Sequence, residues 1–222
     1  MTRLLVLRPE PGAIATMEKA RQLGLEAVSV PLFEIEAIDW EAPPPTAFDG
    51  LLLTSANAVR HSGPQLDRLR NLPVYAVGDA TAIEARAAGL DVIASGDDGV
   101  DRLLASIDAR LTLLHLCGAE RRTPSGVRQT IVPVAVYRAR ATDADFGGIS
   151  DMVALIHSPL AGARFSKLVD GGRSRGISIA AISAAALDSV GRDWTIAEAS
   201  KFPNDEALLA LAARLCNKTA AQ

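Results

Sequence analysis

Five stretches of this chain recur in the same order about 103 to 109 residues further on. R-L-L-V-L (3–7) corresponds to L-T-L-L-H-L (111–116), and V-S-V-P-L-F (28–33) to V-P-V-A-V-Y (132–137). L-L-L-T-S (51–55) corresponds to V-A-L-I-H-S (153–158), and A-V-G-D-A-T-A (76–82) to A-I-S-A-A-A-L (181–187). S-G-D-D-G-V-D-R-L-L (95–104) corresponds to S-K-F-P-N-D-E-A-L-L (200–209). Hydrophobic runs that matched by chance would not keep so steady an offset. The chain therefore carries two copies of one unit, and taken alone the repeat predicts a tandem pair divided near residue 110.

Within each copy, short apolar runs alternate with Ala-rich stretches such as A-T-M-E-K-A-R-Q-L (15–23), A-T-A-I-E-A-R-A-A (80–88) and G-V-D-R-L-L-A-S-I (99–107). Runs of four or five apolar residues between helices predict strands buried on both faces, hence parallel sheets and an α/β fold. A helix is expected from about residue 57. Two stretches differ. P-L-F-E-I-E-A-I (31–38) and P-V-A-V-Y-R-A-R-A (133–141) alternate apolar with polar residues and begin at a proline. That pattern predicts paired connecting strands lying outside either buried sheet. P-P-P (43–45) stiffens the chain that follows.

The 222 residues, 49% hydrophobic and 22% charged, suffice for two small cores. A net charge of −3 argues against nucleic acid as a partner, because displacing phosphate counterions takes a basic face. Any anionic ligand must then be held by local donors. Cys117 and Cys216 form no C-x-x-C, and no Cys/His spacing fits a metal. The apolar run at 4–7 ends at Arg8-Pro9-Glu10, too short for a secretion signal, and no run reaches membrane-spanning length. A cytoplasmic protein with no membrane partner is expected. No G-x-G-x-x-G, P-loop or G-x-S-x-G motif occurs, so neither a nucleotide cofactor nor a serine nucleophile elbow is indicated.

Four turns stand at the carboxyl ends of predicted strands: Thr54-Ser55-Ala56-Asn57, Gly78-Asp79-Ala80-Thr81, Ser158-Pro159 and Ser183-Ala184. In open α/β sheets these ends border the ligand crevice, and the following helix directs its free N–H groups there. For any single turn, helix capping is the plainer reading. Four such turns at equivalent places predict rims of N–H and O–H donors suited to carboxylates.

F-D-G-L-L-L-T-S-A-N-A-V (48–59), V-Y-A-V-G-D-A-T-A-I-E-A-R-A-A-G-L (74–90) and V-P-V-A-V-Y-R-A (132–139) together resemble the uroporphyrinogen-III synthase family. The start, L-V-L-R-P-E-P-G through L-G-L-E-A-V-S-V-P-L (5–32), and A-S-K-F-P-N-D-E-A-L-L (199–209) fit the same family. The ordered series, not any single motif, carries the resemblance. It implies two Rossmann-like lobes with parallel sheets, joined by a two-stranded antiparallel connector. Residues 1–34 with 141–222 would form one lobe, 39–130 the other, and 31–38 with 132–141 the connector strands between lobes.

The resemblance also implies an activity. Hydroxymethylbilane, a linear tetrapyrrole with eight carboxylates, would be cyclised with loss of water and inversion of ring D, with no cofactor and no metal. The hydroxyl leaves to give an azafulvene, ring D attacks through its substituted carbon, and a spiro intermediate reopens and closes inverted. Because the substrate closes unaided to the uninverted isomer, positioning and fixed donors must direct the reaction. Tyr137, matching the family's tyrosine in the V-Y connector, would be the catalytic proton donor. A half-buried strand tyrosine with a satisfied hydroxyl is the plainer reading. Arg8, Thr54, Ser55, Asn57, Gly78, Thr81, Ser158 and Ser183 would bind substrate carboxylates. Arg8 could instead pair with Glu10, and Arg121 and Arg122 occupy the equivalent place in the second copy as weaker candidates. Ser183-Ala184-Ala185-Ala186 departs from the family's hydroxyl-bearing turn, which leaves Ser183 and backbone N–H groups there. The segment at 119–126 departs as well.

His115 is expected in the core, His61 on the surface, and His157 at a strand end within reach of a ligand. A two-lobed cytoplasmic binding or sensor protein for an anionic small molecule is the alternative, and a catalytically silent homologue a third reading. A monomer is the expected state.

Overall fold

The computed structural model describes residues 3–96, 99–120, 127–169 and 175–219. The candidates Arg121 and Arg122 lie outside them. In chain order the elements are β1 (Arg3–Val6), α1 (Gly12–Gln22), β2 (Ala27–Ser29), β3 (Phe33–Ala37), β4 (Gly50–Leu53), α2 (Ala56–Arg60), β5 (Val74–Val77), α3 (Asp79–Ala87), β6 (Val92–Gly96) and α4 (Val100–Ser106). They continue with β7 (Thr112–Gly118), β8 (Thr130–Ala141), β9 (Met152–Ile156), α5 (Pro159–Leu168), β10 (Ser178–Ala181), α6 (Ala184–Ser189), β11 (Ala197–Ala199) and α7 (Asp205–Thr219). The helix expected from residue 57 is the single short α2, because Gly63-Pro64 tightens the chain into a 3-10 helix over Gly63–Leu69.

The chain forms two compact units, Met1–Glu34 with Ala141–Gln222 and Ile35–Arg140. The first contains a five-stranded sheet in the order β11-β10-β9-β1-β2, with every pair parallel. The second contains six strands in the order β3-β8-β7-β4-β5-β6. There β8-β7-β4-β5-β6 is parallel. β3 runs antiparallel to β8, since Ile38 N–H bonds Val136 O while Thr142 N–H bonds Leu32 O.

The repeat and the sheets agree strand for strand. β1, β2, β9, β10 and β11 hold the places in one sheet that β7, β8, β4, β5 and β6 hold in the other. The five-stranded sheet takes two strands from the first copy of the repeat and three from the second, and the six-stranded sheet four from the first and two from the second, so a division near residue 110 does not describe the units. One expectation is corrected outright. Residues 132–141 do not stand apart from the sheets: β8 pairs along β7 from Thr130 to Tyr137. At twelve residues it is long enough to pair β7 over its first part and β3 over its last.

Period-two alternation explains the layers. Leu4, Val6, Val153, Leu155 and Ala180 pack beneath α1 and α7, on Ala13, Ala20, Leu208, Ala212 and Leu215. In the second unit Leu51, Leu53, Val74, Ala76, Leu114 and Leu116 face Ala58 and Val59 of α2 and Ala82 and Ala85 of α3. Their neighbours Leu52, Tyr75 and Leu113 face Leu103 and Leu104 of α4 on the opposite side. The second lobe-like core thus has helices on both faces, as buried parallel strands require. Phe165 stacks on Trp194 at 5.4 Å and meets Phe146 edge-on at 5.2 Å, closing the first unit's other face.

Candidate active site

In the second unit, the carboxyl ends of β4, β5 and β7 and the adjoining part of β8 carry the candidate groups. A bulge between Cys117 and Gly118 shifts the β7–β8 register, so that Cys117 faces Ala135 but Gly118 faces Tyr137. The extra residue lets the consecutive side chains Val136 and Tyr137 pack against the same core, which strict alternation forbids. The Tyr137 ring lies over Gly118. A methyl group there would come within 2.9 Å of ring carbons and 3.2 Å of the hydroxyl. Burial pushes the Tyr137 phenol upward from 10.0, a hydrogen bond with Ser55 opposes this, and Cys117 and Glu120 add to the rise. The phenol is thus a protonated donor across the neutral range.

His61, expected on the surface, is half-buried with its ring centroid 6.2 Å from that of Tyr137. The end of α2 turns it inward, where burial first and Arg60 second lower its proton affinity. His115 is 2% exposed and lies 3.0 Å from the Thr54 hydroxyl. Thr54 therefore spends its side chain within the unit. Ser55 caps α2, accepting from Asn57 N–H at 3.2 Å. Gly78 caps α3 at a φ of 83°, a conformation that glycine takes without strain, and Thr81 is buried behind it.

Arg8, Ser158 and Ser183 belong to the first unit. Ser158 accepts from Ala161 N–H at 3.2 Å and Ser183 from Ala186 N–H at 3.3 Å, both as helix caps. Capping uses their oxygen lone pairs and leaves their hydroxyl protons to donate. Arg8 is not paired with Glu10, which accepts from Ile14 N–H instead. Its partner is Asp205, reached by Nη1 at 3.0 and 3.1 Å. Thr16 donates to Asp205 at 3.0 Å, and Lys19 Nζ lies 3.9 Å away. His157 Nε2 is 3.2 Å from Asp205 Oδ1. Burial alone would raise the Asp205 carboxyl. The close His157, the Arg8 charge and the Thr16 hydroxyl together outweigh it and hold the group at about 2.

Sequence reasoning missed Asp205, Thr16 and the position of His61. Asn204-Asp205 reads locally as a helix start, and Asn204 does accept from Ala207 N–H. Nothing local links that start to an arginine 197 positions away. Among the described residues no group of three or more His, Cys, Asp or Glu is placed to hold a metal. No helix among them is long and apolar enough to cross a membrane.

Residues 15–210 match the family described as uroporphyrinogen-III synthase HemD. The chain belongs to that family. Its reaction is the ring closure of hydroxymethylbilane with loss of water and inversion of ring D, a lyase reaction of tetrapyrrole biosynthesis. The solved uroporphyrinogen-III synthetase of Helicobacter pylori is similar with a TM-score of 0.65 at 19% identity, over 97% of this chain and 100% of that one. A mutant uroporphyrinogen III synthase of Thermus thermophilus is similar with a TM-score of 0.53 at 15% identity, over 98% and 100%. At these identities the likeness carries the fold. No curated protein matches the sequence.

Proposed function

We propose that this uroporphyrinogen-III synthase family member closes its substrate with Tyr137 as the proton donor. The observation that carries this reading is the phenol held beside Gly118 and Ser55, protonated across the neutral range. The pyrrole nitrogen of ring A supplies the electrons that expel the hydroxyl. The Tyr137 phenol gives its proton to the departing oxygen, which leaves as water, and the N–H proton that ring A loses in forming the azafulvene balances it.

Ser55, Asn57, Gly78 and Thr81 on the second unit, and Arg8, Ser158 and Ser183 on the first, bind acetate and propionate groups. Backbone N–H groups at the helix starts contribute as much as side chains, and Thr54 contributes its backbone N–H while its hydroxyl stays with His115. The lobes are 1–34 with 141–222 and 39–130, with 31–38 and 132–141 linking them. The protein works as a cytoplasmic monomer, without nucleic acid. Its charge of −3 and the small number of dedicated cations at these turns support local recognition of carboxylates.

The test is incubation with freshly prepared hydroxymethylbilane, then oxidation and separation of the porphyrin isomers. The wild type is expected to give the inverted, type III product. Only type I porphyrin, at the spontaneous rate, would overturn the assignment. Near-normal type III output from folded Tyr137→Phe would remove Tyr137 from the chemistry.

A further inference from the structure

The guanidinium of Arg8 is held by hydrogen bonds at Nη1. Nη1 donates to both oxygens of Asp205, at 3.0 and 3.1 Å, and lies 3.3 Å from the Thr16 hydroxyl. Thr16 is fully buried and passes its own proton to Asp205 Oδ2 at 3.0 Å, so donor and acceptor roles close a three-residue ring. Asp205 is immobilised in turn as the first residue of α7, directly after the Asn204 cap. Gly12 lies over one face of the guanidinium, at its Nε–Cζ–Nη2 end. A methyl group at Gly12 would come within 2.5 Å of Nε, 2.8 Å of Cζ and 2.9 Å of Nη2. Among the described residues Nε and Nη2 make no hydrogen bond, and the Arg8 side chain is 32% exposed. The Nε–Nη2 edge offers two parallel N–H groups, the geometry that pairs with a carboxylate through two bonds.

We propose that Asp205, together with Thr16, is a positioning residue for substrate binding: it fixes Nη1 so that the Nε–Nη2 edge of Arg8 is presented to one carboxylate of the linear tetrapyrrole. This deepens the reading that the chain acts on hydroxymethylbilane and rests on it. A free arginine would lose rotamer freedom on binding, whereas this one has already been ordered by the fold. The local charge also permits a second carboxylate. Arg8 and Lys19 bring two positive charges to the one carboxylate of Asp205.

The test uses the full chain and steady-state formation of the inverted isomer. Holding a remote carboxylate is binding shared by ground and transition states, so its loss appears in KM. Asp205→Asn should raise KM roughly five- to twentyfold with kcat within about twofold. Gly12→Ala should do the same without changing any charge, because the added methyl displaces a flexible guanidinium and alanine suits a first helical turn. In an Arg8→Met background, Asp205→Asn should add nothing further, since it acts only through Arg8. Should Asp205→Asn fail to fold, Gly12→Ala decides alone. KM unchanged in both variants, or an additive double variant, would overturn the inference while leaving a wild type that forms the inverted isomer. A wild type forming only the uninverted isomer would overturn the assignment of the reaction, and this inference with it.

Discussion

Tyr137 keeps its proton because the β7–β8 bulge turns it toward the core instead of away from it. Burial raises the phenol above its ordinary value of 10.0, so the donor form is fully populated below that pH and is lost only as pH climbs beyond it. Activity that depends on Tyr137 should accordingly be level through neutral pH, with no alkaline limb attributable to this group below about pH 10. A rate profile against pH for wild type and Tyr137→Phe measures it. Removing the hydroxyl should cost roughly tenfold to a hundredfold in type III formation, at the lower end for general acid catalysis because water can replace a half-exposed donor. Gly118→Ala should lower activity by a comparable factor with the phenol still present. The added methyl cannot coexist with the ring in its place. A near-ultraviolet dichroism change with unaltered far-ultraviolet signal would report the displaced tyrosine. Unchanged activity in Gly118→Ala would contradict the packing described.

At the scale of elements, α7 is tied to β1 and α1 by one buried carboxylate. Asp205 sits at about 2 in the folded chain against an ordinary 3.8. Its ionised form is therefore favoured by folding, and the stabilisation is complete above about pH 4 and drains away as pH falls toward 2. The span corresponds to about 2 kcal/mol. Urea unfolding at pH 6 and pH 2.5 should show wild type losing more stability than Asp205→Asn by about that amount. Ser158→Ala and Ser183→Ala should each cost about 1 kcal/mol through their lost caps, measurable in the same way. The capped turns were legible in the sequence because serine, proline and helix start stand side by side. So were the strands, since runs such as Leu51–Leu53 bury both faces. Asp205 was not legible. Its meaning depends on Arg8, and only the sheet order, which places β9 between β1 and β10, brings the far end of the chain to the first strand. Nor was the environment of Tyr137, because a bulge is a register event with no local sequence mark.

For the whole molecule, the two units differ in how the chain supplies them. Ile35–Arg140 is continuous, whereas the other unit is assembled from Met1–Glu34 and Ala141–Gln222. A fragment spanning 35–140 should fold by itself, since β4 to β7, all of β8 but its last residue and both covering helix layers lie within it. Fragment 1–34 should stay unstructured until 141–222 is supplied, because β1 and β2 would be a lone pair of strands. Far-ultraviolet dichroism of the separate and mixed fragments tests both statements. A cooperative melt from 1–34 alone, or none from 35–140, would contradict them.

The strand neighbours of β1 carry a temporal consequence. β1 is flanked by β2, made shortly after it, and by β9, which begins at Met152. On the ribosome the first thirty or so residues must therefore wait, with Leu4, Leu5 and Val6 unburied, while the inserted unit is synthesised and closes. Slowing translation should lengthen that exposure, and the nascent amino terminus is where a chaperone would find its binding sequence.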